Sequence, residues 1–384
     1  MQGIETQIEV RRYITPAGHW SLGDLDRFLP AEPTDKKGKI RVGLLVPFSG
    51  LDAMWGPPSQ YSAVLASALI NASGGILGRE IELFGVNSGG RPEQVVSRVG
   101  ELLDVHDVDV LVGTHMSNVR VAVRNAFSDA VPYIYATQYE GGERARGMFA
   151  IGETPERQYR AAIYWMVRHM GVRRWYLLGN DYIWPRKTHL VLDALIREAG
   201  GEVVGMEYVA FGRDDHDETL ARIRAAGADI VFESLVGSDC VTFNHAFAAA
   251  EMQDTIARLS GVIEENVLMG IGAENTQNLY AVAGYFNSLK TLENRSFLKE
   301  YQMAFGDTAP LQGGMSQTCY ESIFCLATLA KKAGSLSVEA LSAAGQDFTY
   351  FGARGRVQVT SSGTEMACYL MMANGHEYEL IRSF

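Results

Sequence analysis

Trp175-Tyr176-Leu177-Leu178-Gly179-Asn180-Asp181-Tyr182-Ile183-Trp184-Pro185-Arg186 runs from an apolar segment through a polar-aromatic turn into the opening of a helix. The run Trp175 to Leu178 has the content of a buried strand, and Pro185 presets φ for the first turn of the next helix. A strand feeding straight into a helix is half of a parallel βα unit. Tyr182 and Trp184 stand two apart, so an extended backbone puts both rings on one side. With Asp181 they offer a small polar molecule a stacking wall and hydrogen-bonding groups. A plain structural turn, its rings packed on their own scaffold, is the competing account.

The same alternation extends in both directions. Upstream, Ile40 to Val46 reads as a strand, Pro47-Phe48-Ser49-Gly50 as a turn, and a helix starts near Pro57, its apolar face carried by Val64, Leu65, Ala68 and Leu69. Gly74-Gly75 stops it. Strands follow at Ile81 to Val86, Val108 to Gly113 and Pro132 to Tyr135, with helices from Pro92, near Val119, and from Pro155 to His169. Downstream come helices at Arg186 to Ala199, Glu218 to Ala226 and Val241 to Ala250, and strands at Glu202 to Val209 and Ile230 to Glu233. Further strands are expected near Val267 to Ile271 and Ala283 to Phe286, and an amphipathic helix over Met315 to Lys332. Val357 to Val359 and Met366 to Met372 read as terminal strands joined by a turn. Two α/β lobes with parallel sheets account for this series better than one uninterrupted domain.

The chain has 384 residues, enough for more than one core, and a formal net charge of −11 that opposes nonspecific nucleic-acid binding. Cys240, Cys319, Cys325 and Cys368 contain no CxxC pair and are expected to be free, largely buried thiols. The amino terminus has no basic-plus-apolar leader and the chain no bilayer-length apolar run, so the expectation from the sequence as written is a cytoplasmic protein. Removal of a signal peptide would leave the same pattern and a periplasmic protein. Residues 1–38, mixed in Thr, Pro and charge, read as an extension that packs onto a lobe or mediates association, self-association included.

Three loops at carboxyl ends of inferred strands suit a common pocket: Gly113 to Asn118, Ala136 to Glu140, and Asn180 to Arg186. Ser117 is placed to cap the following helix and to meet a ligand carbonyl or carboxylate beside backbone amides. Thr137 and Gln138 add hydrogen bonds, and Tyr139 a ring wall. Asp214-Asp215-His216-Asp217 is a helix start with the composition, but not the spacing, of a metal site. No metal or other cofactor is expected. Neither a nucleophile elbow around Ser117, a Walker loop nor a complete GxGxxG fingerprint is present, so an enzyme reading lacks its chemistry.

Ala72-Ser73-Gly74-Gly75-Ile76-Leu77-Gly78-Arg79, the Val112 to Arg120 loop, Tyr139-Glu140-Gly141 and Gly179 to Arg186, in that order, carry a family resemblance. Most of residues 39–384 resembles the type I periplasmic-binding-protein fold, in particular the aliphatic-amidase expression-regulating protein and urea or short-chain amide binding components of ABC transporters. The resemblance implies a bilobal α/β clam shell with three interlobe crossings. It places one lobe at 39–157 and 279–335, the other at 158–278 and 336–384, and the ligand between them. Ser117, Thr137 and Tyr182 match ligand-facing positions. His115 and Trp184 stand where the amide regulators carry aromatic hydroxyl residues, which argues against simple acetamide specificity. Val236-Gly237-Ser238 is expected at the opposing edge of the pocket and Tyr285 near a crossover, with Gln312 a weaker candidate.

The resulting expectation is a non-catalytic protein that binds a small polar solute, an amide, urea derivative or amino-acid-like molecule, and couples lobe closure to an antiterminator-like regulatory protein. Solute capture for an ABC permease and amide hydrolysis are the alternatives.

Overall fold

The computed structural model describes residues 38–360 and 363–384; apart from Gly38, the expected N-terminal extension lies outside the described residues. The chain opens with β1 (Lys39–Val46), α1 (Gly56–Ala72), β2 (Glu80–Asn87), α2 (Pro92–His106), β3 (Val110–Gly113), α3 (Ser117–Phe127), β4 (Tyr133–Tyr135) and β5 (Met148–Ala150). These strands form one five-stranded sheet in the order β2-β1-β3-β4-β5, parallel throughout. Ile40, Val42, Leu44 and Val46 face the core shared with Ala63 and Ala66 of α1, while Leu45 faces the opposite core with Val95 and Val99 of α2. Period-2 alternation along β1 thus feeds two buried faces, as expected of a parallel strand covered on both sides. At Gly43 a Cβ would lie 2.8 Å from methyls of Leu102 and Leu111, so the glycine sets how closely α2 approaches the sheet.

The second lobe runs α4 (Pro155–His169), β6 (Arg174–Asn180), α5 (Ile183–Glu198), β7 (Glu202–Val209), α6 (Asp217–Ala225), β8 (Ile230–Ser234), α7 (Ser238–Ala249), β9 (Ala257–Ser260), α8 (Glu265–Ile271) and β10 (Leu279–Ala283). Trp175 and Leu177 pack toward α4 and α5, and Tyr176 and Leu178 toward the core of α6, α7 and α8. The chain then returns through α9 (Leu292–Phe305), α10 (Gly314–Ala333), α11 (Val338–Ala344), β11 (Phe348–Gly352), β12 (Gly355–Thr360) and β13 (Gly363–Glu365), and ends in β14 (Tyr369–Asn374) and β15 (Glu377–Ser383). The second sheet has the order β15-β14-β10-β9-β8-β6-β7, with β14 antiparallel to both β10 and β15.

Several expectations change. The segment Val267 to Ile271 lies in helix α8, not in a strand: a five-residue apolar run does not by itself distinguish the two. The strand expected at Ala283 to Phe286 is β10, which ends at Ala283. Strand β12 pairs with β11 and β13, while β14 pairs with β10 and β15, so the two late strands are not partners. The lobe boundaries move accordingly. Strand β10 belongs to the second sheet, whereas Leu341, Phe348, Tyr350, Val357 and Val359 join the core of Ile40 and Val42 in the first lobe. The second lobe therefore ends at the crossing after Ala283 and receives only β14 and β15 from the tail.

The three crossings meet around the Glu153–Arg354 ion pair. Glu153, in the first, accepts from Gly284 N in the second at 3.0 Å and from Arg354 Nη1 at 3.0 Å. Arg354 also contacts Met366 Sδ in the third crossing at 2.8 Å and pairs with Glu321 of α10 at 2.6 Å. The pairing of buried Arg354 with two carboxylates compensates its desolvation.

Candidate functional site

The parallel strands of both sheets direct their carboxyl ends at the space between the lobes, the position where open α/β sheets place ligands. That space holds about 370 Å³, its opening to solvent included. From the first lobe, the turn after β1 contributes Trp55, the β3–α3 loop Thr114, His115, Met116 and Ser117, and the end of β4 Tyr135, Thr137 and Gln138. Met315 enters from the first turn of α10. The second lobe supplies Tyr182 and Trp184 before and within α5, Val236 after β8 and Val262 after β9. No Asp, Glu, Lys or Arg among the described residues lines it.

Tyr182 has extended backbone as the N-cap of α5, and Trp184 is already in the first turn. The pair therefore converges by a strand-to-helix corner and not by a continuous strand, with ring centroids 6.4 Å apart. Asp181 turns away to an exposed ion pair with Arg186 at 2.6 Å. The corner is held from beneath by Asn180, whose Oδ1 accepts from Val236 N at 2.8 Å while its Nδ2 donates to Asp239 Oδ2 at 2.7 Å.

His115 is held by its own lobe. The Tyr133 hydroxyl lies 2.6 Å from Nε2, and Nδ1 lies 3.3 Å from Met116 O, a pattern met by a neutral ring protonated at Nδ1. Burial pushes its pKa down to about 3. Both nitrogens are thus committed to the scaffold, and the expected choice among ligands by those nitrogens is replaced by a neutral aromatic edge. The Tyr135 hydroxyl donates to His115 O at 2.6 Å. Met116, not Ser117, is the N-cap of α3, and it offers no side-chain acceptor. Ser117 is the first helical residue, where backbone N–H groups have no intrahelical acceptor and the helix dipole favours negative charge.

Thr137 Oγ1 contacts Met315 Sδ at 2.6 Å. Gln158 Nε2 donates to Gln138 Oε1 at 2.8 Å and lies 2.8 Å from Val282 O and 3.3 Å from Gly261 O. The two carbonyls identify the Gln158 atom as nitrogen, which makes the Gln138 atom beside it oxygen. Gln138 Nε2 then has no protein partner among the described residues.

Four expected site residues lie elsewhere. Tyr139 is in the first-lobe core with Arg120 5.3 Å from its ring centroid. Ser238 is exposed at the start of α7. Gly237 has φ 52° and ψ −118°, and a Cβ there would lie 1.8 Å from Leu51 O of the first lobe, so it is a point of lobe contact. Tyr285 donates to Asn294 Oδ1 at 2.7 Å and borders a second, adjoining space. The weaker candidate Gln312 has its amide engaged by Ser62 Oγ and Pro58 O. Trp55, Tyr135, Val262 and Met315 were not singled out by the sequence; Trp55 and Val262 follow strand ends, whereas Met315 reaches the site only through the tertiary placement of α10.

The Asp214 to Asp217 segment is a helix start: Asp215 Oδ1 accepts from Asp217 N at 2.9 Å, and α6 begins at Asp217. Among the described residues no group of His, Cys, Asp or Glu is arranged to hold a metal, and all four cysteines are buried and free.

A family profile described as periplasmic binding protein matches residues 39–376. Leu/Ile/Val-binding protein homolog 3 of Brucella melitensis is 23% identical over 197 residues, 50% of this chain and 53% of that protein. An amino acid binding protein of Pseudomonas aeruginosa is 24% identical over 197 residues, with the same coverage of 50% and 53%. The chain thus spans about half the length of the curated relatives it matches. Among solved structures, a periplasmic binding protein from Burkholderia mallei superposes with TM-score 0.81 at 16% identity, covering 90% of this chain and 95% of that one. A solute binding protein of an ABC transporter from R. palustris, in complex with 4-hydroxybenzoate, gives 0.79 at 18% identity, with 90% and 97% covered. The branched-chain amino acid transporter substrate binding protein LivJ from Streptococcus pneumoniae, in complex with isoleucine, gives 0.76 at 20% identity, with 90% and 98% covered. With its profile match spanning both lobes, the chain belongs to the periplasmic binding protein family.

Proposed function

We propose that this chain captures a small, flat carboxylate, an aromatic acid in the first instance, between its lobes and delivers it to an ABC permease. The observation that carries the ligand class is the lining of the interlobe space: Trp55, Tyr135, Tyr182 and Trp184 supply aromatic surface, and no charged side chain among the described residues borders it. Flat aromatic ligands gain most from such walls. Their carboxylate has a neutral set of donors at the α3 amino terminus, in the Ser117 and Thr114 hydroxyls and the first-turn amides. A zwitterionic α-amino acid would find a counter-charge for its ammonium only by reaching Glu153 or Glu264 in the adjoining space. The 4-hydroxybenzoate bound by the R. palustris neighbour supports the same class.

Delivery to a permease takes precedence over the regulatory coupling expected from sequence, because the matched relatives are described as binding proteins and the neighbours as transporter components. Hydrolysis is disfavoured by the site itself: His115, the base nearest Ser117 in sequence, has both nitrogens engaged by Tyr133 and Met116 and stays neutral. Mass spectrometry of small molecules released from natively purified protein tests the reading. An aromatic acid that raises the unfolding temperature on re-addition is the expected result. Release of an aliphatic amide or urea with the same protective effect would return the assignment to the amide class.

A further inference from the structure

The first lobe carries a fitted seat for a carboxyl of the second. Glu264 follows β9 as the N-cap of α8, in the second lobe, and is 5% exposed. Its Oε2 accepts from Met315 N, in the first turn of α10 in the first lobe, at 2.7 Å. The indole of Trp55, also from the first lobe, and the amide of Asn266 stand beside the same carboxyl as hydrogen-bonding neighbours. The buried Trp55 Nε1 has no other acceptor among the described residues. Asn266 Nδ2 in turn donates to Leu311 O of the first lobe at 3.2 Å. Gly313 shows that the seat is shaped for its occupant. With φ −142° and ψ −173° its backbone is extended, open to any residue, so conformation does not call for glycine there. Space does: a Cβ at Gly313 would lie 2.5 Å from Glu264 Oε2 and 2.6 Å from its Cδ.

Two of these partners, Trp55 and Met315, line the ligand space, and Glu264 does not. From these contacts we infer that Glu264 is a positioning residue that latches the second lobe onto the amino end of α10 and holds Trp55 and Met315 in place against the bound solute. The inference rests on capture between the lobes and not on the aromatic class of the ligand. The latch contacts form only where the lobes meet, so they raise the share of closed protein and with it the affinity for a solute that the closed protein holds. Burial raises Glu264 to about 8, so near neutral pH the carboxyl is the acid, with a carbonyl oxygen for Met315 N. Glutamine offers the same carbonyl, with N–H groups in place of the O–H.

Benzoate calorimetry and small-angle scattering of the full chain test this in Glu264→Ala, Glu264→Gln and Gly313→Ala, each checked for folding by circular dichroism. Glu264→Ala is expected to bind benzoate about ten-fold more weakly than the parent and to show a larger radius of gyration before ligand is added. Gly313→Ala leaves Glu264 in the chain but fills its seat, and the same two changes are expected; it carries the test alone should Glu264→Ala not fold. Glu264→Gln keeps the acceptor for Met315 N and stays within about three-fold of the parent. Parent-like affinity in either alanine variant overturns the latch, and so does a Glu264→Gln as weak as Glu264→Ala. Should the parent itself bind no benzoate, the aromatic-acid reading falls and scattering decides the latch alone. A larger radius in the alanine variants then upholds it, and an equal radius in either overturns it.

Discussion

Asn180 ends β6 with its side chain fully buried and serves two loops at once, fixing Val236 through its oxygen and Asp239 through its nitrogen. The aromatic corner it underlies was visible in the sequence because Tyr182 and Trp184 follow an apolar run so closely; the role of Asn180 was not, since both of its partners lie more than fifty residues downstream. The same limit applies to His115. Its sequence position marks it as a loop residue, but only the packed Tyr133 hydroxyl decides that its nitrogens do not face a ligand. Replacement Asn180→Ala leaves Val236 N–H unmet and weakens the hold on Asp239, at a cost of about 2 kcal/mol. Urea denaturation at constant m-value reads this directly, and a loss under about 0.5 kcal/mol would show that the two bonds are not held in solution.

At the scale of elements, the strands and helices of both sheets up to Ala250, apart from the three-residue β5, were legible because each carries its own period and its own turn chemistry. Legibility failed where the chain changes lobe. A crossing has no periodicity of its own, and the allegiance of β10 or of α11 to β13 is set by which core receives Val282, Leu341 or Phe348. The loop between β8 and α7 illustrates the same point: its glycine reads as a turn or a ligand contact, and the fold uses it to bring the second lobe against Leu51. A side chain at Gly237 meets both a backbone oxygen and a backbone conformation that only glycine adopts readily. In Gly237→Ala the lobes cannot meet in this arrangement, so ligand affinity falls by about ten-fold or more, in line with about 1–3 kcal/mol of backbone strain added to the lost contact. Scattering curves with and without ligand distinguish the cause: the variant stays more extended with saturating ligand than the parent does, whereas equal compaction would refute the role given to this contact.

The whole molecule carries an acid-side stability bias in its interior. Burial raises Asp52, Glu233 and Glu265 to about 7 and Glu264 to about 8, from ordinary values of 3.8 for the aspartate and 4.5 for the glutamates. In the unfolded chain these groups ionise at the ordinary values, so through the interval between about 4.5 and about 8 these four carboxyls hold more protons in the folded state than in the unfolded state. That contribution to stability declines as pH rises, whereas His115 and His189, lowered by burial to about 3, and His216, lowered likewise, oppose it up to the ordinary histidine value of 6.5, so the net decline is expected above about 6.5. Asp181, Glu198 and Glu207 have lowered values and act in the opposite sense only below it. Ligand-free protein should unfold at a lower temperature at about pH 8 than at about pH 6.5, and an unfolding temperature that rises over this range would contradict the burial of these carboxyls.

The proposed placement of a ligand between two lobes rests on the directions of two sheets, which the sequence pattern already contained; the proposed chemistry of that ligand rests on a lining assembled across more than two hundred residues. Calorimetric titration of protein stripped of endogenous ligand with benzoate, isoleucine and acetamide tests the central claim most directly. The account predicts saturable one-to-one binding of benzoate, with isoleucine and acetamide at least about ten-fold weaker. Tight binding of isoleucine or acetamide with no heat from benzoate would contradict it.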